Sequence, residues 1–231
     1  MQIITNEKLI RRNAKIGQVT SLVALFILGG GLYISFRMPQ KFGLSLIALI
    51  IGFTLSQIGL YFGNRWGRSP RPDQMLDQGL KGLPGEYSIY HYRTPASHLL
   101  VGPAGLWTLI PYHQRGTLTY EKGRWRMKGG GFMQGYLRLF GQENIGRPEM
   151  EAGAEVDALK RYLAKQISEE EMPPIQAALV FTNDSVEIQC EDAPIPTLQL
   201  KRLKDFIRKC AREHPLTVRN IEKVKAVFPK E

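Results

Sequence analysis

The chain has 231 residues, 43% of them hydrophobic, enough for a genuine core and for one or two domains. Its formal charge of +10 invites a nucleic-acid reading, but residues 1–72 hold nine Lys and Arg against Glu7 alone, which leaves only +2 for residues 73–231. Cys190 and Cys210 show no CxxC spacing and no metal-like spacing with the four histidines. They imply no disulfide framework and read as structural thiols in a reducing compartment.

In chain order, residues 17–36 and 42–62 are two uncharged apolar runs. A helix rises about 1.5 Å per residue, so each can cross a hydrocarbon layer of roughly 30 Å. Only Arg37–Lys41 separates them, with Pro39 as the breaker, so the expected form is an antiparallel transmembrane hairpin over residues 1–68. The first run is too long for a signal peptide and no A-x-A-like site follows it. Gly29, Gly30 and Gly31 in the first span and Ala48, Gly52 and Ser56 in the second offer small faces for close approach. Neither span holds a charge, which argues against an ion route. Basic residues before the first span and after the second (Arg65, Arg68, Arg71) outnumber the two in the link, so the positive-inside bias puts both termini in the cytoplasm.

Residues 69–72 (SPRP) read as a linker, and residues 73–231 as one cytoplasmic α/β domain. Asp73 stands at a helix start, with Leu76, Leu80 and Leu83 at helical spacing. Residues 87–92 (YSIYHY) read as a strand. His98–Val101 and Leu106–Ile110 then flank Gly102-Pro103-Ala104-Gly105, a strong hairpin signal. Both arms are apolar almost throughout, as in strands covered on both faces. A second hairpin is expected over Thr117–Glu121 and Arg124–Met127, then a Gly-rich mobile loop over residues 128–140. Residues 149–166 form a clear amphipathic helix, acidic in its first turns. Residues 175–182 read as a buried strand reached by crossover, 197–212 as an amphipathic helix with Cys210 on its apolar face, and 217–228 as a last helix.

The stretch 95–116 (PASHLLVGPAGLWTLIPYHQRG) carries a resemblance. It fits the frame n-I-D-H-x-x-V-G-P-x-G-x-x-x-I-E-x-K-n-x-x-G without a gap, and so resembles the nuclease-related domain (NERD) family, a branch of the PD-(D/E)xK nuclease fold. The resemblance implies a restriction-endonuclease-like αβββαβ domain behind the membrane hairpin. The family's metal-binding Asp is Ser97 here, its Glu is Ile110 and its Lys is Tyr112. Asp73 stands where the family's opening helix has a Glu, and a helix cap explains that aspartate equally well. Trp125 matches a Trp the family often shows. Arg147-Pro148 and Glu151 replace the family's N-P-x-x-Q, so that polar contact is altered too.

Phosphodiester hydrolysis on this scaffold needs carboxylates for a hard divalent ion and a Lys to help activate water. Ser97, Ile110 and Tyr112 supply neither, so no catalytic set, metal site or cofactor is expected, and Mg²⁺ enters only if ligands have relocated. His91, His98 and His113 lack a motif and read as packed or surface residues rather than a substitute metal set. No P-loop, GxGxxG, GxSxG or HExxH occurs. Arg115, Lys122, Arg124, Arg126, Lys128 and Arg138, interleaved with Trp125, Phe132 and Tyr136, offer a nucleic-acid or anionic-membrane surface, against the simpler reading of a solvated hairpin face. Three functions follow: a membrane-tethered, catalytically silent NERD-like domain that binds or scaffolds; a metal nuclease with relocated ligands; or a transmembrane subunit of a larger complex. The expected partners are the lipid bilayer and a membrane or cytoplasmic protein.

Overall fold

The computed structural model describes residues 1–128, 145–168 and 171–228. The chain forms two compact units, one made of residues 6–71 and the other of residues 1–5 together with 72–231.

In the first unit, α1 (Glu7–Arg37) and α2 (Phe42–Phe62) form an antiparallel pair joined through a 3₁₀ turn at Pro39–Lys41. The Asn6 side chain caps α1 by accepting from the Leu9 N–H at 3.1 Å. Both helices are long and apolar enough to cross a membrane. The helices meet along small residues. A Cβ at Gly31 would lie 2.8 Å from that of Ala48, and one at Gly52 would lie 2.6 Å from Leu28 Cγ. Ser45 Oγ donates to the Gly31 carbonyl across the pair at 2.9 Å. Gly29 and Gly30 have nothing within contact distance, so only one glycine of the run serves the packing. Leu25, Phe26 and Phe36 point outward and are more than half exposed. Such a surface is stable facing lipid and not water.

The second unit is an α/β domain. Its main sheet has the order β1 (Gln2–Thr5), β2 (Ser88–His91), β3 (His98–Gly102), β4 (Gly105–Tyr112), β7 (Ile175–Phe181), β9 (Thr197–Gln199). All neighbours run parallel except β3, which is antiparallel to β2 and β4. A smaller sheet has the order β6 (Arg124–Lys128), β5 (Gly116–Glu121), β8 (Val186–Gln189). The helices are α3 (Pro72–Leu80), α4 (Pro148–Leu163), α5 (Leu200–Glu213) and α6 (Val218–Val227). With the β5–β6 hairpin set aside, α3 to β7 run in the order helix, three strands, helix, strand.

The central hairpin forms as its turn residues dictate. Gly102 pairs with Gly105 across Pro103-Ala104, and Gly105 has φ +104°. Gly102 lies so close under the Tyr87 ring that a Cβ would collide with it. The apolar arms are buried on both faces. Ile89, Leu100, Trp107 and Leu109 pack against Leu76 and Leu80 of α3 and Leu203 and Ile207 of α5. Tyr90, Leu99, Val101 and Leu106 pack against Leu159 and Leu163 of α4 and Ile221 and Val224 of α6. Further along the second face, Ile110, Tyr112, Leu179 and Phe181 meet Ala152 of α4 and Leu118 and Val186 of the smaller sheet.

Three elements differ from the sequence reading. No strand was expected at Gln2–Thr5, yet it pairs in parallel with β2 and buries Ile4. Residues 197–199, expected as the first turn of a helix, extend beside β7, where β-branched Thr197 and buried Leu198 suit an edge strand. β8 was not foreseen because VEIQ is too short and polar to declare itself.

Candidate functional site

The positions singled out by the 95–116 frame lie at one end of the central hairpin. Ser97 ends the turn that follows β2, where its carbonyl accepts from the Tyr92 N–H at 2.9 Å. Continuing the β3–β4 register from Leu99↔Thr108 sets Ser97 opposite Ile110. Ile110 and Tyr112 are two apart on β4 and share one face of the sheet. Ile110 is 3% exposed among Leu118, Leu179, Phe181 and Val186, and Tyr112 is 8% exposed, stacked on Phe181 with ring centroids 5.5 Å apart.

The polar groups here come from the first turns of α4. Pro148 opens that helix, and Glu149 and Glu151 sit in its first turn, where the macrodipole favours negative charge. Tyr112 Oη donates to Glu151 Oε2 at 2.7 Å, and one turn on, Glu155 Oε1 accepts from the Ser97 N–H at 3.3 Å. Burial first, then the bond to Glu151 and the charges of Glu151 and Glu155, hold the Tyr112 phenol well above its ordinary pKa. It is a neutral donor at any physiological pH.

A divalent ion of the Mg²⁺ class needs several oxygen ligands in near-octahedral array. Ser97 offers a hydroxyl, Ile110 offers nothing, and the Tyr112 hydroxyl is already engaged, so these three positions do not fit such an ion. Asp73, 2% exposed, sits on α3, which packs on the opposite face of the sheet from Ile110 and Tyr112. Among the described residues no three His, Cys, Asp or Glu side chains are placed to hold a metal.

The histidines separate. His113 Nδ1 is 3.0 Å from Thr182 Oγ1, beyond the end of β4. His91 and His98 are cross-strand partners on β2 and β3, 0% and 1% exposed, with their Nδ1 atoms 2.8 Å apart. His91 Nε2 lies 3.0 Å from Asp77 Oδ1 on α3. Asp77 and His98 therefore use opposite edges of the His91 ring and do not converge on one point.

The basic residues lie elsewhere. Arg124, Arg126 and Lys128 are exposed on alternate positions of edge strand β6, Lys122 is in its turn, and Arg115 precedes β5; Arg138, Phe132 and Tyr136 fall outside the described residues, as does the loop expected beyond Lys128. Trp125 is not available as a stacking platform. It turns inward, donates from Nε1 to Glu149 Oε1 at 2.7 Å and packs beside Tyr120. Cations alternating along a short edge strand also keep it from pairing with another sheet. Cys190 and Cys210 pack against separate core clusters, and burial raises the pKa of both thiols.

Asp77, Glu155 and the histidine pair were missed as a constellation. The pair was legible in principle, because His91 and His98 flank a short turn between two expected strands and face each other once the hairpin closes. No protein-family model, curated protein or solved structure matches the chain.

Proposed function

We propose that this chain is a membrane-anchored, NERD-like domain of restriction-endonuclease-like fold that acts by binding or scaffolding at the cytoplasmic face of a membrane, without nuclease activity. The observation that carries this reading is the Tyr112–Glu151 hydrogen bond beside buried Ile110. Where the resemblance implies a Lys and a Glu serving an ion, this chain has a phenol bonded to a helix carboxylate and an aliphatic side chain in a closed apolar cluster.

Topology supports the anchoring. β1 precedes the first apolar helix and α3 follows the second, yet both belong to one folded unit. Two membrane crossings between them return the chain to the side it left, and the basic flanks favour the cytoplasm for that side.

The second reading, a metal nuclease with relocated ligands, draws on Glu151 and Glu155, two carboxylates one helical turn apart beside Tyr112 and Ser97. One experiment separates the two. The full chain in detergent micelles is incubated with supercoiled plasmid and Mg²⁺ or Mn²⁺, and ion binding is followed by calorimetry. The proposed function expects neither cleavage nor ion binding. Cleavage that disappears in Glu151→Gln or Glu155→Gln establishes the nuclease reading instead.

A further inference from the structure

We propose that the first turns of α1 hold an anionic-lipid site, in which Lys8, Arg11, Arg12 and Lys15 bind a phosphate headgroup while the apolar residues that follow on the same line face its acyl chains. The proposal rests on the membrane anchoring proposed above and names the lipid chemistry that this anchor selects.

The helical repeat builds the site. Successive residues of an α-helix turn by about 100°, so positions 8, 11, 12 and 15 fall within one stripe about 100° wide. All four side chains are exposed. The opposite side of the same turns is the packed one. Ile10, Asn13 and Gly17 are buried there, and a Cβ at Gly17 would lie 2.9 Å from the Gly63 backbone nitrogen. The one carboxylate in residues 1–16, that of Glu7, lies 3.5 Å from the Arg71 guanidinium. The stripe itself is wholly basic.

The same line continues into the uncharged run. Val19, Leu22 and Phe26 follow Lys15 at four- and three-residue spacing and are 50%, 55% and 76% exposed. The cations therefore stand directly over an apolar surface open to lipid, which is the order of headgroup and tails in a phospholipid. A soluble phosphate or a nucleic acid would use only the cations, at a depth where lipid phosphates already stand.

Two features set that depth. The uncharged run begins at Gly17. At a rise of about 1.5 Å per residue, Lys15 lies about 3 Å, Arg12 about 8 Å and Lys8 about 14 Å beyond it. Headgroups extend about 5–8 Å past the hydrocarbon, so Lys15, Arg12 and Arg11 reach phosphates directly, and Lys8 acts from above across a screening length of about 8 Å. Independently, Phe62 of α2 lies beside Gly17, and Trp66 packs on Phe62 and Tyr61 with ring centroids 5.1 and 6.0 Å away. The Arg65 guanidinium lies 5.2 Å over the Trp66 ring. Trp and Tyr gather at headgroup level, so the second helix marks the same boundary as the first.

The test reconstitutes the full chain in phosphatidylcholine vesicles carrying a trace of spin-labelled phosphatidylserine or spin-labelled phosphatidylcholine, and compares the motionally restricted fraction of each label. Wild type should prefer phosphatidylserine about fivefold, the effect of about one Lys or Arg at an anionic surface, and the preference should fade in about 1 M salt. K8Q/R11Q/R12Q/K15Q should lose the preference, R12Q/K15Q should at least halve it, and R37Q/K41Q, at the link, should keep it. Equal restriction of both labels by wild type overturns the site and leaves the anchoring intact, whereas no restricted component for either label contradicts the anchoring itself. The wild-type preference surviving in K8Q/R11Q/R12Q/K15Q, or abolished by inorganic phosphate but not by chloride at equal ionic strength, also overturns the lipid site. If the fourfold variant does not insert, R12Q/K15Q decides alone.

Discussion

Replacing Ile110 by Glu introduces the residue type that the proposed resemblance implies at this position, and the structure makes it a severe perturbation. Ile110 is 3% exposed, enclosed by Leu118, Leu179, Phe181, Val186 and Ala152. A carboxylate placed there loses its water and finds no cation. The carboxylates of α4 at this end of the hairpin, Glu151 and Glu155, are of like charge and already serve Tyr112 and Ser97. An uncompensated buried charge costs about 3–5 kcal/mol, a large share of the roughly 5–15 kcal/mol that stabilises a domain. For a unit of this size each kcal/mol moves Tm by about 2–4 °C, so a fall of about 6–20 °C is expected. Thermal unfolding of the full chain in micelles, with Ile110→Val as a control losing about 0.5–1.5 kcal/mol, measures it. The deficit should also depend on pH. Burial raises the folded-state pKa of the introduced acid, so stability relative to wild type falls as pH rises from about 4.3 through that raised value and recovers on acidification. A variant whose Tm stays within about 2 °C of wild type at neutral pH would refute the enclosed site on which the proposed function draws.

Tyr112→Phe keeps the stacking on Phe181 and removes only the bond to Glu151. Because Glu151 is exposed and regains water, the expected loss is about 1–2 kcal/mol in thermal unfolding, and a loss above about 4 kcal/mol would mean the hydroxyl holds more than this contact. Changing Arg124, Arg126 and Lys128 together to Ser should alter stability by no more than about 1 kcal/mol while raising self-association in sedimentation, because the edge of β6 loses its charges. Nucleic-acid binding by the wild-type chain should be undetectable at physiological salt, given the +2 charge of residues 73–231. Tight binding that weakens steeply with salt in a filter assay, and is lost in the triple variant, would instead make β6 a nucleic-acid surface.

How far the sequence could be read depended on whether a residue's role was local. The apolar runs 17–36 and 42–62, the GPAG turn and the leucine spacing of α3 and α4 each carry their own instruction, and the structure follows them. β1 does not. Nothing in MQIIT separates a strand from a helix approach, and its pairing with Ser88–His91 is a contact across more than eighty residues. β8 and β9 are likewise short edge strands fixed by their neighbours. At the site, the uncharged residues Ile110 and Tyr112 were visible in the sequence itself. What was hidden was the compensation: Glu151 reaches Tyr112 from α4, and Asp77 reaches His91 from α3. The orientation of Trp125 was not legible either: alternation on β6 turns it inward with Met127 and leaves Arg124, Arg126 and Lys128 outside.

In the proposed topology, the hairpin crosses a membrane twice and returns the chain to a cytoplasmic domain that already contains its first strand. Labelling with a membrane-impermeant thiol reagent tests this most directly, using single cysteines at exposed Ile3, in the link at Gln40 and at exposed Val218, in a chain whose Cys190 and Cys210 have been changed to Ala. In intact cells the link cysteine should react while the Ile3→Cys and Val218→Cys proteins react only after the membrane is opened. Reaction of Ile3→Cys and Val218→Cys from opposite sides, or of all three from the same side, would contradict it.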